Sequence, residues 1–167
     1  MIDSTEIRDT LDDLIDRYNS RTTVPKEHYF CAKIAIIEVC GWIEECMDRM
    51  VLDLSNSHIR RQKNRKIVQR KVDGTHSFTY SRHFRPLLTW VIGSVSVEQL
   101  EEKLDQRVFE FMKSELGSLA AVRNQLAHSS YDPYRPRLDS PSWVRDRFDR
   151  IYEGLGAVES TLAVLMG

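Results

Sequence analysis

The feature that most limits what this chain can fold into is residues 31–43, which are apolar nearly all the way round a helical wheel. Only Lys33 and Glu38 interrupt them. They lie in the middle of a long helix predicted over 25–54, which Pro25 is placed to open. A helix apolar on every face is either central to a bundle or packed on another subunit. Around it the same periodicity recurs. A first helix starts at the acidic pair Asp3 and Glu6 and runs to about Tyr18, with Ile7, Leu11, Leu14 and Ile15 as its stripe. A short helix over 85–92 is expected to end at Gly93, and Ser96-Val97-Glu98-Gln99 fits a capping box for a helix reaching about Leu116. Gly117 is expected to separate that helix from an amphipathic segment over 116–130. Residues 132–137 read as a loop, and Ser140-Pro141 starts a last helix to about Leu165. No strand and no internal repeat emerge, so the expectation is one all-α domain spanning 1–167.

Composition excludes several classes. Charged residues make up 29% and hydrophobic ones 41%, the profile of an ordinary globular protein rather than a disordered chain. A net charge of −1 provides no global attraction for nucleic acid, so any such binding must use a local patch. The first residues lack a basic segment followed by an apolar one, and the longest nearly apolar stretch, 34–43, is too short to cross a bilayer. A cytoplasmic protein with no membrane partner is expected. Cys31, Cys40 and Cys46 share one predicted helix, with no C-x-x-C pair, and read as packing residues. Trp42, Trp90 and Trp143 all fall on apolar stripes and read as core.

Residues 57–85 differ in kind. They carry nine Lys or Arg against one acid, Asp73, with Asp73-Gly74 marking a turn. The run Arg60, Arg61, Lys63, Arg65, Lys66, Arg70 and Lys71 is either a solvated face or loop, or a track for an RNA backbone. In the second case Phe78 or Tyr80 would stack on unpaired bases. His58, His76 and His83 form no ligand spacing and have no acidic or thiol companion, so no metal and no cofactor are expected.

The densest chemistry is Arg123-Asn124-Gln125-Leu126-Ala127-His128, which joins a fixed cation, an amide and an imidazole within about one and a half helical turns. With Leu119 at zero on the wheel, Val122, Arg123 and Leu126 fall within about 60° of it, which places the arginine in the apolar sector. Asn124 and His128, four apart, share the other face. A guanidinium facing the core must find a carboxylate or a phosphate. The plain reading is a structural pair with a neighbouring helix. Glu45 and Glu38 are the first candidates, with Glu44 and Asp48 behind them. The chemical reading is a phosphate site, because imidazole can act as acid or base near neutrality and Arg offers a planar donor to phosphate oxygens.

An all-helical chain with Arg-Asn-x-x-x-His on a late helix resembles the HEPN superfamily, most closely its stand-alone prokaryotic members related to the RiboL-PSP and MAE-type domains. Residues 119–128 carry that resemblance, and the acidic long helix around Glu38 to Glu45 and the segment 79–93 are its plausible counterparts elsewhere. The resemblance implies a HEPN-like helical bundle with additional helices and a basic loop insertion. It also implies a metal-independent endoribonuclease with Arg123, Asn124 and His128 at the site, working as a homodimer in which two motifs meet. Toxin–antitoxin or phage-defence systems are the implied settings, with an antitoxin protein as a further partner. In one toxin branch a tyrosine two residues after the histidine is modified by a partner nucleotidyltransferase; here Tyr131 lies three after His128. The alternative within the same resemblance is a non-catalytic module that binds RNA or a cognate protein.

Overall fold

The computed structural model describes residues 2–127, 130–132 and 138–167. They form α1 (Thr5–Asn19), α2 (Pro25–His58), α3 (Gln62–Asp73), α4 (Arg85–Lys103), α5 (Gln106–Ala127) and α6 (Pro141–Met166), with a π-helical turn at Tyr80–Phe84 before α4. There is no strand among the described residues. No helix among them is long and apolar enough to cross a membrane.

The all-round apolar stretch explains the architecture. α2 touches each of the other helices. Its Cys31, Ala35, Ile36, Val39, Cys40 and Ile43 are buried in the single core, against Leu11 and Leu14 of α1 and Phe148, Ile151 and Leu155 of α6. One face of α2 remains uncovered. Phe30, Ile34 and Ile37 are 41%, 42% and 43% exposed, a spacing of one turn each along one stripe. Most of α2 is therefore central to the bundle, and one stripe of it is left open.

Several helix ends follow local chemistry. Pro25 opens α2, where Glu27 accepts from the Val24 amide at 3.1 Å, and the Ser140 hydroxyl accepts from the Trp143 amide at 3.3 Å to cap α6. α1 is fastened to α6 by Arg8, which pairs with Asp149 at 2.8 Å and lies over the rings of Phe148 and Tyr152.

Other ends depart from expectation. The basic segment is a helix, α3, not a loop insertion, because Val68 and Val72 bury one side of it in the core. Gly93 does break the helix, with φ 80° and ψ 161°, a conformation open to glycine at little cost, yet the chain resumes helical form directly after it. The second helix then stops at Lys103 rather than about Leu116. Asp105 supplies the break: its carboxylate accepts from the amides of Arg107 and Val108 at 2.9 and 3.0 Å and caps a new helix. α5 then runs through Gly117 without interruption, so Arg123 sits at the far end of a long helix rather than on a short separate one.

Candidate functional site

Arg123 lies one turn from the end of α5 and faces α2. Its guanidinium is held from two sides. Nη2 donates to both carboxylate oxygens of Glu44, at 3.0 and 3.2 Å, and Nη1 donates to the carbonyl of His76 at 3.4 Å. The arginine and glutamate side chains keep 30% and 25% of their exposure, so the pair is half-buried. The requirement that a core-facing guanidinium find an acid on the second helix is met, but by Glu44. Glu38 and Glu45, the first candidates, are both exposed. Glu44 and Glu45, three and four residues after Gly41, flank the stripe of Phe30, Ile34, Ile37 and Gly41 on opposite sides, about 100° apart, and the side facing Arg123 is that of Glu44. One nitrogen shared by two oxygens is not the parallel two-bond fork of the strongest Arg–carboxylate pairs. Nε has no partner among the described residues, which leaves one edge of the cation unused.

The surroundings are acidic on the α2 side. Asp48, one turn beyond Glu44, has its carboxyl pushed up to about 6 by burial first, then by the negative charges of Glu44 and Asp73, with His76 acting in the opposite direction. Asp73, at the end of α3, accepts from the Gln69 amide at 2.7 Å. Cys40, one turn before Glu44, is buried, and burial pushes its thiol up to about 12. A thiol so held offers no thiolate near neutrality, so the cysteine packs and does not act as a nucleophile.

Asn124 is exposed, beside Arg123. His128 lies outside the described residues, as do residues 133–137 of the expected loop. Tyr131 is half-buried, with its ring 5.4 Å from that of Tyr29 and 6.4 Å from that of Phe30. It therefore sits against the uncovered stripe of α2.

The seven basic residues separate into three kinds. Lys63, Lys66 and Arg70 share the exposed side of α3, opposite Val68 and Val72, and Arg60 and Arg61 are exposed just before it. Arg65 is turned back instead, its Nε donating to the Ile59 carbonyl at 2.7 Å and its Nη2 to that of Arg60 at 3.2 Å. It ties the α2–α3 junction together. Lys71 lies at the other end, with its ammonium 5.1 Å over the ring of Trp90.

The aromatic expectation is reversed. Phe78 and Tyr80 are buried in the core, and the Tyr80 hydroxyl donates to Glu101 at 2.9 Å, beside Arg85 on the same carboxylate at 2.8 and 3.2 Å. Neither can stack on a base. Trp90 and Trp143, both read as core, are 56% and 39% exposed. For Trp90 the wheel of its own helix holds the signal: Phe84, Leu87, Leu88 and Val91 define the inner face, and Trp90 falls about 120° from its centre. Glu44, Asp48 and His76 are the surroundings of Arg123 that the sequence does not place first. Comparison of the chain with protein-family models, with curated proteins and with solved structures finds no match.

Proposed function

We propose that this chain is a metal-independent endoribonuclease of HEPN type, acting as a homodimer in a toxin–antitoxin or phage-defence setting. The observation that supports it most is the posture of Arg123. The guanidinium is fixed by Glu44 and the His76 carbonyl, yet stays partly exposed, its Nε without a partner among the described residues, next to the exposed Asn124. A cation held in place at a surface costs little reorganisation when charge develops on a phosphorane. In the proposed reaction one imidazole takes the proton of an RNA 2′-hydroxyl as its oxygen attacks phosphorus. A second imidazole gives a proton to the departing 5′-oxygen. A 2′,3′-cyclic phosphate and a free 5′-hydroxyl result. His128 supplies one imidazole, and a second copy of the chain supplies the other. The uncovered stripe of Phe30, Ile34 and Ile37 is the surface offered for that second copy, because it leads along α2 to Glu44 and hence to Arg123.

The same ion pair favours a second reading. If Arg123 serves only to lock α5 onto α2, the chain is a non-catalytic HEPN module that binds RNA or a cognate protein. The two diverge on total RNA in EDTA. The ribonuclease reading expects cleavage there, lowered about 10²–10⁴-fold in His128→Ala and lost likewise in Arg123→Ala, in variants that melt like wild type. Cleavage by His128→Ala at the wild-type rate gives the binding module first place.

A further inference from the structure

We propose that the cleft between α3, the π-helical turn and the start of α4 is a nucleotide subsite, taking one base of single-stranded RNA on Trp90 and its phosphate among Lys71, Arg82 and His76. The inference rests on RNA as the ligand, but it concerns a place apart from the Arg123–His128 motif and needs no catalysis.

The cleft encloses about 320 Å³, within the range of sites that hold a small ligand. Its walls include Lys71, His76, Arg82, His83 and Trp90, and no carboxylate is among the described residues that line it. Trp90 is the platform. A 56% exposed indole leaves a large apolar surface in water, and every base has a flat face with which to cover it. The Lys71 ammonium lies 5.1 Å over one face of the ring, so a base stacks on the other face or displaces the ammonium toward its phosphate. Arg82 makes no ion pair and no hydrogen bond among the described residues, so its five donors are uncommitted. His83 is oriented, sharing a 2.7 Å hydrogen bond between its Nδ1 and the Thr79 hydroxyl.

The backbone supports the same placement. Arg82 and His83 are consecutive members of the π-helical turn, a geometry wider than the α-helix and common at functional sites. That turn is anchored from inside by Phe78, Tyr80 and Phe84, so its outward residues are presented from a rigid base. His76 joins the two regions: the residue whose carbonyl accepts from Arg123 is also part of the wall of the cleft. The outer face of α3 has cations in Lys63, Lys66 and Arg70, but it is convex and carries no aromatic ring, and gives a base nothing to stack on.

The test is equilibrium binding in EDTA of a short fluorescein-labelled 2′-O-methyl oligonucleotide, which lacks the attacking hydroxyl and so reports binding without cleavage. AMP and inorganic phosphate serve as competitors. Trp90→Ala is expected to weaken binding about five- to a hundredfold, and Trp90→Phe to retain most of it. Arg82→Ala is expected to weaken binding and to lower the salt slope by about 0.7. Both residues are exposed, so the variants should melt like wild type. Competition by AMP as strong as that of the unlabelled oligonucleotide would assign the cleft to a free nucleotide, with the same chemistry. Unchanged oligonucleotide affinity in Trp90→Ala overturns the proposal, as does displacement by phosphate alone at AMP-like concentrations. Absence of RNA cleavage together with Trp90-dependent binding would count against the ribonuclease and leave the subsite standing.

Discussion

Asp48→Asn should make this protein more stable at neutral pH, against the usual direction for a substitution in a partly buried position. The Asp48 carboxyl stands at about 6 instead of its ordinary 3.8, because burial and the neighbouring charges of Glu44 and Asp73 disfavour its ionised form. Folding therefore raises this pKa. Between about pH 4 and pH 6 the native state keeps a proton that the unfolded chain has already released, so stability falls as pH rises through that window and stays reduced above it. The full displacement corresponds to at most about 3 kcal/mol. The residue is only half-buried and solvent screens it, so about 1 kcal/mol is the working figure, or roughly 2–4 °C in Tm for a domain of this size. No hydrogen bond to Asp48 is lost in the substitution, since its carboxylate accepts none among the described residues. Thermal and urea melts at pH 5 and pH 7.5 read the effect. Wild type should lose stability between the two, and Asp48→Asn should lose less and melt higher at pH 7.5. A substituted protein less stable than wild type at pH 7.5, or one with an undiminished pH dependence, would refute the electrostatic account of this corner.

Two further outcomes follow from packing and charge. Gly154→Ala should cost about 1–3 kcal/mol, because a Cβ there would meet Met112 Cβ at 2.5 Å where α5 and α6 touch, while Gly156→Ala, with nothing within 4 Å, should be neutral or slightly stabilising; chemical denaturation of the pair checks both. Replacing Lys63, Lys66 and Arg70 together should leave the melt unchanged and lower the salt slope of RNA binding by about 0.7 per lost phosphate contact, whereas Arg65→Ala should lower stability by about 1 kcal/mol through the two carbonyls it leaves without a donor.

What could be read from the chain was what local sequence decides. Pro25 and Ser140-Pro141 mark true helix starts because a fixed φ and a side-chain acceptor act within one turn. The need for an acid opposite Arg123 was equally legible, since burying an unpaired guanidinium is costly in any fold. Which acid answers was not, because Glu44 and Glu45 differ only in helix phase, and the rotation of α2 against α5 is set by the whole core. Phe78 and Tyr80 misled for a related reason. Interleaved with arginines and histidines they resemble a stacking surface, but a segment that leaves the buried end of α3 and feeds α4 must first cross the core. Asp105 is the opposite case: its cap is as local as that of Ser140, but a helix begun near Ser96 and carried on to about Leu116 passes over the break that it makes.

The charge arrangement also limits how a phosphate could be held near Arg123. Glu44 already takes up most of that cation, and Asp48 and Asp73 add negative charge on the same side. An anion approaching Arg123 alone meets a corner that is close to neutral or acidic, in a chain of net charge −1. Positive charge with no acidic partner among the described residues lies across the segment that carries His76, on Lys71 and Arg82, and along α3 on Lys63, Lys66 and Arg70. Attraction and orientation are thus separable in this fold. The cleft and α3 carry the charge that draws a polyanion, and Arg123, pinned by Glu44, is suited to fix the position of one phosphate rather than to attract it. On that division, loss of the α3 cations weakens binding without changing the cleavage of bound RNA, and loss of Glu44 frees Arg123 electrostatically while removing what holds it in place.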